Sequence, residues 1–127
     1  MVTTKQLMKN NLARVSCGSP AIEAAKVMRK RRIGSVFVEQ RGHIVGIMTE
    51  ADIVRKVVAD SQAPQNVLVQ DIMSSPVIGI DVARPITDAA DLMDRHQTRH
   101  LAVMRCGDIV GILSVRDLLR PVAIDEF

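Results

Sequence analysis

The chain repeats itself, and that repeat restricts what it can fold into more than any other feature. Displaced by 65 residues, from Pro20 to Pro85, the sequence sets Met8 on Met73, Ala24 and Ala25 on Ala89 and Ala90, Met28 on Met93 and Val38 on Val103. The same ungapped register sets Gly42-His43-Ile44-Val45-Gly46-Ile47 on Gly107-Asp108-Ile109-Val110-Gly111-Ile112, Asp52 on Asp117 and Arg55 on Arg120. The chain is therefore read as two copies of a unit of about 55 residues. Residues 1–60 form the first copy, 61–70 a polar linker and 71–127 the second. With 127 residues in all, two intimate half-domains leave no room for a catalytic domain beside a regulatory one.

Each copy reads as β-α-β-β-α. A short apolar strand, Leu12 to Val15 or Val77 to Ile80, leads to a helix with Pro20 or Pro85 in its first turn. Ala21, Ala24, Ala25 and Met28 fall at i, i+3, i+4 and i+7, and Ile86, Ala89, Ala90 and Met93 repeat that stripe, so one helix face should be buried in each copy. Two β-rich runs follow, Ser35 to Glu39 and Ile44 to Met48, then His100 to Met104 and Ile109 to Leu113, each pair split by a hairpin-length turn. A closing helix, Thr49 to Val58 or Ser114 to about Arg120, should bury Ile53, Val54 and Val57, or Leu118, Leu119 and Val122. So small a unit buries too little surface alone. The expected fold is α/β (α+β), with the two copies joined in pseudo-twofold symmetry and two related clefts between them.

The chemistry is concentrated where the last strand meets the closing helix. Thr49-Glu50-Ala51-Asp52 and Ser114-Val115-Arg116-Asp117 both place a hydroxyl three residues before a carboxylate. One reading is a variant capping box, worth about 1 kcal/mol and needing no ligand. The other is a nucleotide grip: unpaired N–H groups at the helix start and the hydroxyl face a phosphate, while the Asp accepts both hydroxyls of a ribose. The sequence alone leaves both open.

Composition removes several other roles. There is no Trp or Tyr, and the two Phe are Phe37 and Phe127, which excludes a platform that stacks successive bases on aromatic rings. Lys26, Arg29, Lys30, Arg31 and Arg32 form the main basic run, and the second copy answers with Asp88, Asp91 and Asp94. The pairing suits a solvated face, meeting helix faces or phosphate contact better than nucleic-acid readout. His43, His96 and His100 lack metal-site spacing, and no Ser, Cys or Lys shows a nucleophile's partners at motif spacing, so neither a metal nor an enzymatic reaction is expected. Cys17 and Cys106 lack CxxC spacing and read as free thiols. The polar start MVTTKQLMKNNLARV and the absence of a long apolar run suggest a cytoplasmic protein without a membrane span.

The doubled pattern resembles a tandem pair of cystathionine-beta-synthase (CBS) domains from about Leu7 to Val122. The likeness rests on GHIVGIMTEADIV and GDIVGILSVRDLL, on the IGSVFV and RHLAVM strands before them, and on the Asp71-Ile72-Met73 lead-in. It implies a regulatory rather than catalytic module that binds an adenosine-containing ligand such as AMP, ADP, ATP, NAD or S-adenosylmethionine in clefts between the repeats. It places Thr49 and Ser114 on phosphate and Asp52 and Asp117 on ribose. Adenine would be read by main-chain groups near Ala13 and Ile78 and by Gly34-Ser35-Val36 and Arg99-His100-Leu101. Arg31 and Arg32 match the family's basic pair, whereas His96-Gln97 match only half of it, and Arg116 is the substitute cation of the second copy. Phe37 and Ala102 stand where the family commonly has Pro. Exposed sheet or helix surface on so small a module makes a homodimer the expected state, as the resemblance also implies, and the ligand-bound arrangement is read by the second protomer or by an effector protein; the alternative from another class is a ligand-free dimerisation or interaction module.

Overall fold

Two residues turn each hairpin. In a computed structural model, which describes residues 1–10 and 12–119, Arg41 and Gly42 have φ of 52° and 81°, and Cys106 and Gly107 have 51° and 85°. Two consecutive left-handed residues make the type I′ turn, whose twist matches that of the strands it joins. The hairpins so formed are β2 (Ser35–Gln40) with β3 (His43–Thr49), and β5 (His100–Arg105) with β6 (Asp108–Ser114). Both carry an irregularity at the same place, Val38/Glu39 and Val103/Met104. A parallel third strand completes each sheet: β1 (Arg14–Ser16) beside β2, and β4 (Gly79–Asp81) beside β5.

The helices follow the expected stripe with four corrections. Helix α2 (Ala21–Arg31) buries Ala21, Ala24 and Met28, and α5 (Ile86–His96) buries Ala89 and Met93. Ala25 is half-buried, but Ala90, one residue round the helix from Ala89, faces solvent. Pro20 and Pro85 are the N-cap residues rather than first-turn residues. The closing helix α3 (Glu50–Ile53) widens into a π-helical turn, Val54–Val58, closed by the Ala59 N–H donating to the Val54 carbonyl. That wider turn carries Val57 into the core and leaves Val54 and Val58 exposed, against the expectation for Val54. Its counterpart α6 (Val115–Leu118) ends before Leu119, which is exposed as well. The expected helix end at Arg120 and the burial of Val122 lie outside the described residues. Strands β1 and β4 start two residues later than the apolar pattern suggested, because Ala13 and Ile78 give only their carbonyls to the neighbouring strand.

The chain divides into two compact units, Ala13–Val77 and Met1–Leu12 with Ile78–Phe127. This division differs from the order of the repeats: the segment preceding each repeat's first strand is built into the unit of the other repeat. In the first unit, α4 (Val69–Ile72) adds Val69 and Ile72 to a core of α2, β2 and β3 residues including Met28, Val36, Val38 and Met48. Residues 61–70 are therefore only partly a loop: Pro64–Asn66 form a 3-10 turn, and Leu68 bridges Pro20. In the second unit, α1 (Thr4–Leu7) adds Leu7 to Ala89, Met93, Leu101, Val103 and Leu113.

Two glycines make these dockings possible. A Cβ on Gly46 would meet Met73 Sδ at 2.6 Å and the Ser74 carbonyl at 2.9 Å; one on Gly111 would meet Met8 Sδ at 2.6 Å and the Lys9 carbonyl at 2.9 Å. The matched methionines thus close over matched glycine notches. Backbone bridges Ile47–Ser74 and Lys9–Ile112 secure them. No helix among the described residues is long and apolar enough to cross a membrane.

Candidate functional site

Both hydroxyl–carboxylate pairs form reciprocal caps. The Thr49 N–H donates to Asp52 Oδ2 at 2.9 Å, the Thr49 hydroxyl lies 3.2 Å from the same oxygen, and the Asp52 N–H donates back to Thr49 Oγ1 at 3.3 Å. The Ser114 and Asp117 distances are 2.8, 3.1 and 3.4 Å. Strand geometry forces this arrangement, since β3 and β6 end in extended residues whose side chains turn back over the first helical turn.

Among the described residues, Asp52 and Asp117 are the only charged residues that are buried, at 7% and 2% exposure. A buried carboxylate is costly unless hydrogen-bonded and paired. Each has a cation on its other oxygen: Lys56 Nζ is 3.0 Å from Asp52 Oδ1, and Lys9 Nζ is 3.8 Å from Asp117 Oδ1. The two lysines come from non-equivalent places, since the repeat sets Pro121 on Lys56 and Ser74 on Lys9. Sequence reasoning missed both. Lys56 carried a legible signal, its i+4 position after Asp52. Lys9 carried none, being 108 residues from its partner.

The structure brings most of the remaining predicted residues to these caps. Ser35 pairs with Thr49, and the Glu50 N–H donates to the Gly34 carbonyl at 3.0 Å; His100 pairs with Ser114, and the Val115 N–H donates to the Arg99 carbonyl at 2.9 Å. Val36 and Leu101 follow one residue on, opposite Met48 and Leu113, and are wholly buried. Ala13 and Ile78 lie across the sheet, where their carbonyls accept the Phe37 and Ala102 N–H groups at 2.9 Å. These are the N–H groups that a proline at either position would lack. The two carbonyls are therefore engaged in the ladder, each keeping one lone pair for a further donor.

The cations are less concentrated. Arg31 ends α2, and Arg32 caps it in a left-handed conformation, φ 54° and ψ 46°, two residues before Gly34; both are exposed. Gln97 holds the matching position with φ 52° and ψ 42°. Arg116 is exposed in the first turn of α6. Among the described residues no three His, Cys, Asp or Glu side chains gather as a metal site.

Comparison with known proteins accounts for this geometry. A family model for the CBS domain matches residues 5–59 and again 69–123. The chain is 31% identical over 121 residues to the CBS domain-containing protein YhcV of Bacillus subtilis, covering 93% of this chain and 84% of that protein. It is 38% identical over 111 residues to an uncharacterized protein of Methanopyrus kandleri, covering 84% of this chain but only 57% of the relative's length. Among solved structures, a conserved protein from Pyrococcus horikoshii superposes with a TM-score of 0.88 at 29% identity, over 95% of this chain and 92% of that one. The hexameric CBS-CP12 protein from bloom-forming cyanobacteria gives 0.89 at 26%, over 99% and 74%. Duplicated sheets, duplicated caps and a doubled family match lead to one conclusion: the chain belongs to the CBS domain family, as a tandem pair.

Proposed function

We propose that the chain is a regulatory module that binds an adenosine nucleotide, with AMP, ADP, ATP, NAD and S-adenosylmethionine as the candidate ligands. The observation that carries this reading is the pair of buried carboxylates, Asp52 and Asp117, each held at a helix start beside the strand segment that would meet the base. Asp52 and Asp117 take the ribose hydroxyls, and Thr49 and Ser114 stand on the phosphate side of each site. Arg31 and Arg32 supply charge in one site and Arg116 in the other. Ala13 with Gly34, Ser35 and Val36, and Ile78 with Arg99, His100 and Leu101, flank adenine. Ligand acts by its different affinity for two arrangements of the chain, which an effector protein or a second protomer reads. The hexameric state named for the cyanobacterial relative supports self-association, and we place the module in the cytoplasm as a homodimer.

A second reading has its own support: the caps are already complete without ligand, as a pure interaction module would have them. A thermal-shift panel of the five ligands separates the two. Saturation at 100 times the dissociation constant stabilises by about 2.7 kcal/mol, on the order of 10 °C in a chain this size. Asp52→Asn and Asp117→Asn should each remove one site's share of the shift. Under the second reading no ligand shifts the transition, and the substitutions change only intrinsic stability.

A further inference from the structure

Resting on that reading, we propose that Lys56 is the built-in occupant of the Asp52 site: an incoming ribose displaces it, and its departure releases the end of α4. An ionised carboxylate offers about four acceptor positions. Three are used on Asp52, two on Oδ2 by the Thr49 N–H and hydroxyl and one on Oδ1 by Lys56. A ribose diol brings two donors, so one present donor must leave. The Thr49 N–H is fixed by the backbone, and the Thr49 hydroxyl is tied into the cap by the Asp52 N–H. The ammonium sits on a flexible arm with 43% of the side chain exposed, so water takes it back at little cost.

Lys56 does not leave without consequence. Its Nζ also donates to the Ile72 carbonyl at 2.9 Å, satisfying one of the carbonyls that the end of α4 leaves without a helical partner. Directly after α4, Ser74 exchanges two backbone bonds with Ile47 of β3, at 2.8 and 3.0 Å. One ammonium therefore ties the proposed ribose acid to the segment by which the chain leaves this unit at Val77. The second site is built differently: the position matching Lys56 is Pro121, and Asp117 meets Lys9 instead.

The test uses Lys56→Met, which keeps the apolar stem and removes the ammonium, with Asp117→Asn present in all proteins compared to isolate the Asp52 site. The probe is adenosine, which lacks the phosphate that Lys56 could otherwise contact. Removing the competitor should tighten adenosine binding, read by calorimetry, about threefold to fivefold. Hydrogen exchange at the Met73 and Ser74 amides should quicken in Lys56→Met without ligand, and in the protein retaining Lys56 on saturation with adenosine. Unchanged or weaker binding by Lys56→Met overturns the proposal, as does exchange at Met73 and Ser74 that responds to neither change. Failure of both proteins to bind adenosine overturns it too, and a titration with AMP, repeated in Asp52→Asn, then shows whether the site reading itself survives.

Discussion

Replacing Gly46 by Ala tests the notch that holds the lead-in segment to the first sheet. The added methyl would lie 2.6 Å from Met73 Sδ and 2.9 Å from the Ser74 carbonyl. The thioether is the far end of a flexible side chain and can swing away, but the carbonyl is backbone and accepts the Ile47 N–H at 3.0 Å. Relief therefore requires the Ile47–Ser74 bridge to shift. Overpacking of this kind costs about 1–3 kcal/mol, and a weakened bridge adds about 1 kcal/mol. We expect Gly46→Ala to destabilise by roughly 2–4 kcal/mol in urea unfolding, with a melting temperature lower by about 8–15 °C. Gly111→Ala, facing Met8 Sδ and the Lys9 carbonyl at the same 2.6 and 2.9 Å, should cost the same within about 0.5 kcal/mol. Adding Met73→Ala to Gly46→Ala should relieve only the sulfur contact and leave most of the coupling cost in place. A loss below about 0.5 kcal/mol for either glycine, or full relief by Met73→Ala, refutes the argument that backbone closes the notch.

Gln97→Gly should stabilise by about 0.5–1 kcal/mol in the same unfolding assay, because glycine accepts φ 52° without the penalty a side chain brings. Arg32→Gly should stabilise equally, at φ 54°, while weakening nucleotide binding through lost charge near the first cap. Asp117→Ala should cost about 1–2 kcal/mol by equilibrium unfolding, since the Ser114 N–H loses its 2.8 Å acceptor and the cap is broken. Val54→Glu with Leu119→Glu, at positions 58% and 78% exposed, should leave folding unchanged by circular dichroism and lower the mass found by light scattering if these apolar side chains serve self-association.

The repeat made much of the fold legible because its signals are local. The Arg41-Gly42 and Cys106-Gly107 turns announce hairpins from the backbone freedom of glycine, and the matched alanines and methionines of α2 and α5 announce one buried face. The caps were legible on the same ground, since Thr49 and Asp52 lie one turn apart. What escaped depends on distant chain. Nothing local says that α1 docks on the second unit and α4 on the first; that choice is made by Met8 and Met73 fitting over Gly111 and Gly46. The π-helical turn at Val54–Val58 breaks the 3.6-residue period on which the burial of Val54 was expected. Lys56 stands one turn after Asp52 and was legible there, whereas Lys9 escaped because a buried charge demands a cation without demanding where in the sequence it comes from.

Crystals of the chain grown with AMP and with ATP test the central claim most directly. The account predicts a ribose whose two hydroxyls lie within about 3.2 Å of the Asp52 or the Asp117 carboxylate, with the phosphate turned toward Thr49 or Ser114. Solvent alone at both carboxylates, with the caps and their lysines unchanged, contradicts it.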